Sequence, residues 1–364
     1  MFTYFDKKIQ QVQNREQVLR KDKKKPFLQH IHYFRGFAIV NIAMIHLLFP
    51  YLGEHVALFE KARIIVELIF SDSTLYFVLI AGFLFSYLAY KIRIEDYYRV
   101  KLKTVILPYV IITFLVTLLK EWHLLTGGFS LSFFTILLKN VLLGTVLTPF
   151  WYIPFVAVVF LISPFFLMLS DQTFKKITLF AIFLPLLGTR PSIVISIWHF
   201  VYYFPVYMLG MLVARNYTEV LTLIKCYKIW LLVAVFLSSF ILSFSLRLPD
   251  DSYFLQQNVY YGLFYIQKLG ISFLLLYYLK RFDNRRINWL DYLAVYSFSI
   301  YFLHTIIQYP IQKIMYLAPL RPYINHAPVL YIFFVAVVIL LLTLLISMAL
   351  NKVLGRYSRM IIGA

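Results

Sequence analysis

Ten apolar segments constrain this chain more than any other feature of its sequence. They lie at about 34–51, 73–91, 104–120, 151–170, 176–189, 196–214, 228–246, 260–279, 290–309 and 327–350. A helix needs roughly 20 apolar residues to cross a hydrocarbon core of about 30 Å, and only the fifth segment is short of that. An eleventh stretch, 130–148, is apolar but interrupted by Lys139, Asn140 and Gly144, which suits an interfacial or re-entrant helix. The expected fold is therefore all-α: a polytopic transmembrane helical bundle of about ten spans. Composition excludes the main competitor, because a chain that is 62% hydrophobic and 14% charged, with mean hydropathy +0.78, is not a soluble globular domain.

The net charge of +19 is informative through its distribution. Residues 1–29 form a basic tail carrying Lys7, Lys8, Arg15, Arg20, Lys21, Lys23, Lys24 and Lys25. Beside a membrane, such a run serves as a cytoplasmic anchor to anionic lipid headgroups, and no nucleic-acid partner is expected. No cleavable signal peptide is evident. With the N-terminus inside, the cytoplasmic loops collect most of the remaining lysines and arginines, among them Arg99, Lys101, Lys103, Lys175, Lys176, Lys225, Lys228, Arg285, Arg286 and Lys352. The outer loops hold few, so the positive-inside rule supports ten spans with both termini cytoplasmic. A transmembrane domain over 30–350 and a cytoplasmic C-terminal tail over 351–364 complete the division. The single cysteine, Cys226, excludes an internal disulfide, and no metal-ligand spacing, phosphate-binding glycine loop or nucleophile elbow occurs.

Within the first span, Arg35 and His46 stand eleven positions apart. At about 100° and 1.5 Å per residue they share a helix face and are separated by about 16 Å along it. Arg35 then lies at the cytoplasmic edge and His46 beyond the midplane. Ionisable groups at such depth are costly and mark functional sites, although a lone histidine can bond a neighbouring helix and a lone arginine can reach headgroups. A passage from the arginine to the histidine would let an anionic donor enter from the cytoplasm and present its reactive end at the imidazole.

Other stretches add to this pair. The second span reads Thr74-Leu-Tyr-Phe-Val-Leu-Ile-Ala-Gly-Phe-Leu-Phe, and its Gly82 suits close approach of a neighbouring backbone. Glu67 and Asp72 lie just outside that span. Arg99, Lys101 and Lys103 mark the cytoplasmic junction into the third, followed by Ile106-Leu-Pro-Tyr. Pro149-Phe-Trp151-Tyr152 opens a later span, where the two rings fit either an interfacial belt or a sugar-stacking platform. Late in the chain, Ser297, Tyr301 and His304 fall at i, i+4 and i+7 of Tyr296-Ser-Phe-Ser-Ile-Tyr-Phe-Leu-His, so they share a face. His199 and Lys268 also sit in apolar segments, without a motif around them.

The order Arg35-Gly-Phe-Ala-Ile followed by His46 resembles the first helix of the membrane-bound acyltransferase 3 family, and the stretches just quoted resemble its later elements. Ala81 replaces the usual serine before Gly82, and Thr104 stands where a second arginine is expected. The resemblance implies a glycan O-acyltransferase of a bacterial inner (plasma) membrane, surrounded by membrane lipids. Its donor substrate would be acetyl-CoA or another acyl-CoA, with no tightly bound cofactor and no metal. It implies catalytic roles for His46 and Arg35, and contacts from Arg35, Arg99, Lys101 and Lys103 to the phosphates of coenzyme A. The glycan acceptor would meet Trp151, Tyr152, Glu67, Asp72, Tyr301 and His304. The alternative is a glycan or lipid transporter or flippase that forms no covalent bond; a scaffold partnering a glycan synthase is a third reading.

Overall fold

Arg35 and His46 are carried by α1 (Gln29–Leu52), the helix around which the bundle is assembled. A computed structural model describes residues 26–52, 60–89, 93–125, 131–188, 194–245, 254–315 and 328–364. Of the expected basic tail over residues 1–29, residues 1–25 lie outside them. After α1 come α2 (Glu60–Phe70), α3 (Thr74–Tyr87), α4 (Ile94–Lys101), α5 (Leu107–Lys120), α6 (Leu131–Leu143), α7 (Tyr152–Ile162) and α8 (Asp171–Ala181). They are followed by α9 (Ile197–Arg215), α10 (Tyr217–Ser245), α11 (Phe254–Leu279), α12 (Asn288–Val295), α13 (Ser297–Met315), α14 (Pro328–Leu354) and the short α15 (Ser358–Ile361). The chain is an all-α polytopic bundle, with no strand among the described residues.

Among the described residues, eight helical stretches are long and apolar enough to cross a membrane, or nine if the pair α12–α13, bent by 77°, counts as one span. The fifth expected segment, 176–189, differs: α8 is only 11 residues and gives way to a 3-10 turn at Leu184–Leu186. Pro185 lacks the amide donor a continuing helix requires, and Asp171, Lys175 and Lys176 make the start polar. The two ends of this segment have different neighbours. Asp171 accepts from Arg215 at the end of α9 at 2.8 Å, while Leu186 lies against Gly262 in the first half of α11. Residues 171–188 are thus a broken helical segment packed along α9 and against α11.

The third expected span is longer than 104–120. Helix runs from Ile94 to Lys120 with a π-helical segment at Leu102–Ile106, so Arg99, Lys101 and Lys103 ride on its N-terminal extension. Helix α6, at 13 residues or about 20 Å, is too short to span and packs along the C-terminal half of the third span. There Asn140 Nδ2 donates to Thr117 Oγ1 at 3.0 Å and Tyr109 Oη donates to the Val141 carbonyl at 2.8 Å.

Packing centres on α1, which touches α2, α3, α11, α12, α13 and α14. Its N-terminal turn is tied to the segment before and within α12. His30 Nδ1 and Asp283 Oδ1 are 2.6 Å apart, His32 Nε2 and Asp291 Oδ1 2.9 Å, and Tyr33 Oη donates to the Arg285 carbonyl at 2.7 Å. Beside α1, α3 and α9 approach closely because glycine faces backbone on both sides. A Cβ on Gly82 would lie 2.0 Å from the Tyr207 carbonyl oxygen, and one on Gly210 would lie 2.1 Å from that of Leu79. The expected role of Gly82 is what the structure has.

Candidate active site

His46, half-buried, borders a cavity of about 20 Å3, room for roughly one water. Ile42 from α1, Thr74 and Phe77 from α3, Pro149, Trp151 and Tyr152 from the turn into α7, and Phe298 and Tyr301 from α13 complete its wall. The 3-10 turn Thr148–Trp151 delivers its rings inward, and the Tyr301 hydroxyl donates to the Pro149 carbonyl, fastening α13 to that turn. Trp151 and Tyr152 are 8% and 6% exposed, so they belong to the interior and not to an interfacial rim. The ring of Trp151 is 4.5 Å from His199 and 5.2 Å from Tyr203. His199 acquires a structural role that the sequence does not announce: its Nδ1 accepts the Ser196 amide at 3.0 Å, closing a capping box at the start of α9.

Behind His46 stands His304, fully buried, with ring centroids 5.6 Å apart. His304 Nδ1 lies 2.8 Å from the Ile300 carbonyl. A carbonyl only accepts, so Nδ1 holds the proton and Nε2 presents a lone pair. That Nε2 is buried and has no hydrogen-bond partner among the described residues. One turn further along α13, Gln308 Nε2 donates to the His46 carbonyl at 3.1 Å. Gln308 extends the Ser297, Tyr301, His304 face by another i+4 step, a pattern that would have found it.

Arg35 shares α1 with His46 but serves a different neighbourhood. Its Nη2 donates at 2.7 Å to the carbonyl of Ala294, an acceptor exposed by the end of α12, while its Nε is buried with no hydrogen-bond partner among the described residues. Between the two residues on the same face, Ile39 is fully buried and Ile42 floors the cavity. The expected passage is therefore closed by packed side chains. The phosphate-binding cluster is divided as well. Arg99 and Lys103 are exposed, whereas Lys101 folds its ammonium over the Phe160 ring at 4.2 Å.

Glu67 and Asp72, expected near the acceptor, are buried and engaged elsewhere. Arg63 Nε donates to Glu67 at 2.8 Å and the Tyr260 hydroxyl does so at 3.1 Å. Asp72 receives the hydroxyls of Tyr202 and Tyr203, the latter at 2.9 Å, and its φ of +59° turns the chain between α2 and α3. Neither lines the His46 cavity. Lys268, buried in α11, caps the end of α2 by donating to the carbonyls of Leu68 and Ile69 at 3.2 and 2.7 Å.

The site thus offers one imidazole on the wall of a small aromatic-lined cavity, with a second buried behind it, inside a membrane bundle. A family model described as an acyltransferase domain matches residues 28–348. The chain belongs to the acyltransferase 3 family. No curated protein and no solved structure matches it. The acyltransferase 3 match starts just before α1 and ends within α14, so it contains the whole cavity wall, Arg35 and the basic junction at 99–103. The protein is a membrane acyltransferase by family. Residues 349–364 lie beyond the matched stretch.

Proposed function

We propose that this acyltransferase moves an acetyl group from cytoplasmic acetyl-CoA to a hydroxyl of a cell-surface or lipid-linked glycan, in a bacterial inner membrane. The observation that carries the reading is the His46 imidazole opening onto an aromatic-walled cavity, with a second imidazole at its back. His46 takes the proton from the sugar hydroxyl as its oxygen attacks the thioester carbonyl. The C–O bond forms, the C–S bond breaks, and the coenzyme A thiolate leaves and is protonated. A neutral imidazole can take up that proton and return it in the same exchange. A transient acyl-histidine is the other route open to the same residue. Trp151, Tyr152 and Tyr301 supply ring faces for a sugar, and Arg35 with Arg99 and Lys103 supplies positive charge on the donor side.

The test is acetyl transfer from labelled acetyl-CoA to glycan in membranes holding wild-type or His46→Ala protein at equal abundance. Loss of the base is expected to lower turnover about 10²- to 10⁴-fold. Undiminished transfer would remove His46 from the mechanism. Glycan movement across the membrane with no release of coenzyme A would replace the acyltransfer reading with transport.

A further inference from the structure

Helices α10 and α11 pack closely at their middles, where a Cβ on Gly270 would stand 2.6 Å from Val235 Cγ2. Toward the start of α10 and the end of α11, a cleft of about 460 Å3 opens between them. One wall is the stripe Thr218, Leu221, Thr222 and Lys225, at i, i+3, i+4 and i+7 of α10. The other is Tyr277, Lys280 and Arg281, at the end of α11 and in the 3-10 turn that closes it. The lining carries three cations and no carboxylate, and among the described residues none of the three is in an ion pair. Lys280 and Arg281 lie over rings instead, 5.5 Å from Tyr217 and 5.1 Å from Tyr278. Like charges gathered in a cleft without acid raise the local potential for an anion. The positive-inside pattern assigns these helix ends to the cytoplasmic surface.

The face of α10 that begins with this stripe continues, at the helical period, through Ile229, Leu232, Phe236 and Phe240, which are 65%, 47%, 67% and 52% exposed. Only 11% of the most apolar stretch of this span is buried, against 39% or more in each of the other seven. A basic cleft and a bare apolar run therefore lie in line on one helix face. A soluble anion would use the cleft alone. A second copy seated on this face would bring its own three cations against these. An anionic phospholipid uses both parts. We propose that the α10–α11 cleft is a binding site for an anionic phospholipid, its phosphate among Lys225, Lys280 and Arg281 and its acyl chains along the exposed face of α10. This site stands independently of the acyl-transfer reading. It also adjoins the helix that carries His46: the Tyr217 ring beneath Lys280 has its hydroxyl hydrogen-bonded with His30 Nε2, and His30 Nδ1 lies 2.6 Å from Asp283 Oδ1. A headgroup held at Lys280 braces the first turn of α1 through that chain.

The experiment uses the full-length protein in detergent. Native mass spectrometry counts retained phosphatidylglycerol or phosphatidylcholine, and the thermal unfolding temperature is read in mixed micelles with each lipid. The wild-type protein is expected to retain one phosphatidylglycerol with about tenfold or greater preference over phosphatidylcholine, and to unfold several degrees higher with it. Lys225→Gln/Lys280→Gln/Arg281→Gln should lose both effects. Lys175→Gln/Lys176→Gln/Lys352→Gln, which removes three exposed cations elsewhere, should keep them. Unchanged retention in the first variant overturns the site, and an equal loss in the second reduces it to diffuse attraction between a basic surface and lipid. Glycerol phosphate, a similar head without chains, and acetyl-CoA serve as soluble competitors. Displacement of the lipid by either at comparable concentration would give the cleft to a soluble phosphate and overturn the proposal. A dimer recovered in place of the lipid-bound monomer would make this face a contact between copies, and would overturn it as well.

Discussion

The residue with most left to explain is His304. A buried acceptor with no partner among the described residues costs about 1–3 kcal/mol, and a bundle that keeps one beside the proposed base has a use for it. With Nδ1 committed to Ile300, the Nε2 lone pair is available to steady the neighbouring imidazole when that ring gains a proton. The two roles of the ring separate by substitution. Asn at 304 places an amide nitrogen near the position of Nδ1 and retains the bond to Ile300, but offers nothing at Nε2. His304→Asn is accordingly expected to lower kcat by about tenfold or more, roughly 1.4 kcal/mol in the barrier, with KM for acetyl-CoA and protein abundance unchanged. Steady-state kinetics in membranes decides it. Full activity in the Asn variant would make the Ile300 bond the whole purpose of the histidine.

Among elements, the α3–α9 contact is the least forgiving. Gly82→Ala sets a methyl group 2.0 Å from the Tyr207 carbonyl, and backbone on both sides cannot step aside as a side chain can. The helices must separate, with an expected cost of about 1–3 kcal/mol or more and a matching fall in the thermal unfolding temperature in detergent. Gly262→Ala is the control: it lies inside α11, where a new Cβ meets only Leu186 at 3.6 Å, so it should be neutral or stabilising by up to about 1 kcal/mol. Equal losses in both variants would mean that helix propensity, and not contact, governs. Elements of this kind were legible in the sequence to different depths. A glycine in an apolar helix announces close approach, so Gly82 could be read; that its partner is Gly210 could not, because which helices pair is information in three dimensions. The face shared by Ser297, Tyr301 and His304 follows from helical period alone. The bend between α12 and α13 does not, since no proline or glycine marks it, and its Ala294 carbonyl takes up Arg35. Lys101 reads as a phosphate ligand in a charge count and is instead held over an aromatic ring.

For the molecule as a whole, the orientation signal is the most readable because it needs no contacts, only the placement of lysine and arginine between apolar runs. The crossing count is the vulnerable part, and it depends on residues 171–188. If this broken segment crosses, His123 after the third span and Cys226 at the start of α10 are separated by an odd number of crossings and face opposite sides. If it does not, the two face the same side, and every later loop is inverted against the positive-inside pattern. The pairing of Asp171 with Arg215 at the end of α9, and of Leu186 with the first half of α11, argues for the crossing. A membrane-impermeant maleimide is therefore expected to label native Cys226 only in inside-out vesicles. His123→Cys, in a Cys226→Ser background, should be labelled only in right-side-out ones, and Lys352→Cys in the same background should follow Cys226. Labelling of 123 and 226 from one side would remove the crossing at 171–188. The C-terminal segment would then face the side opposite to Arg35 and the basic junction at 99–103, which precede the missing crossing.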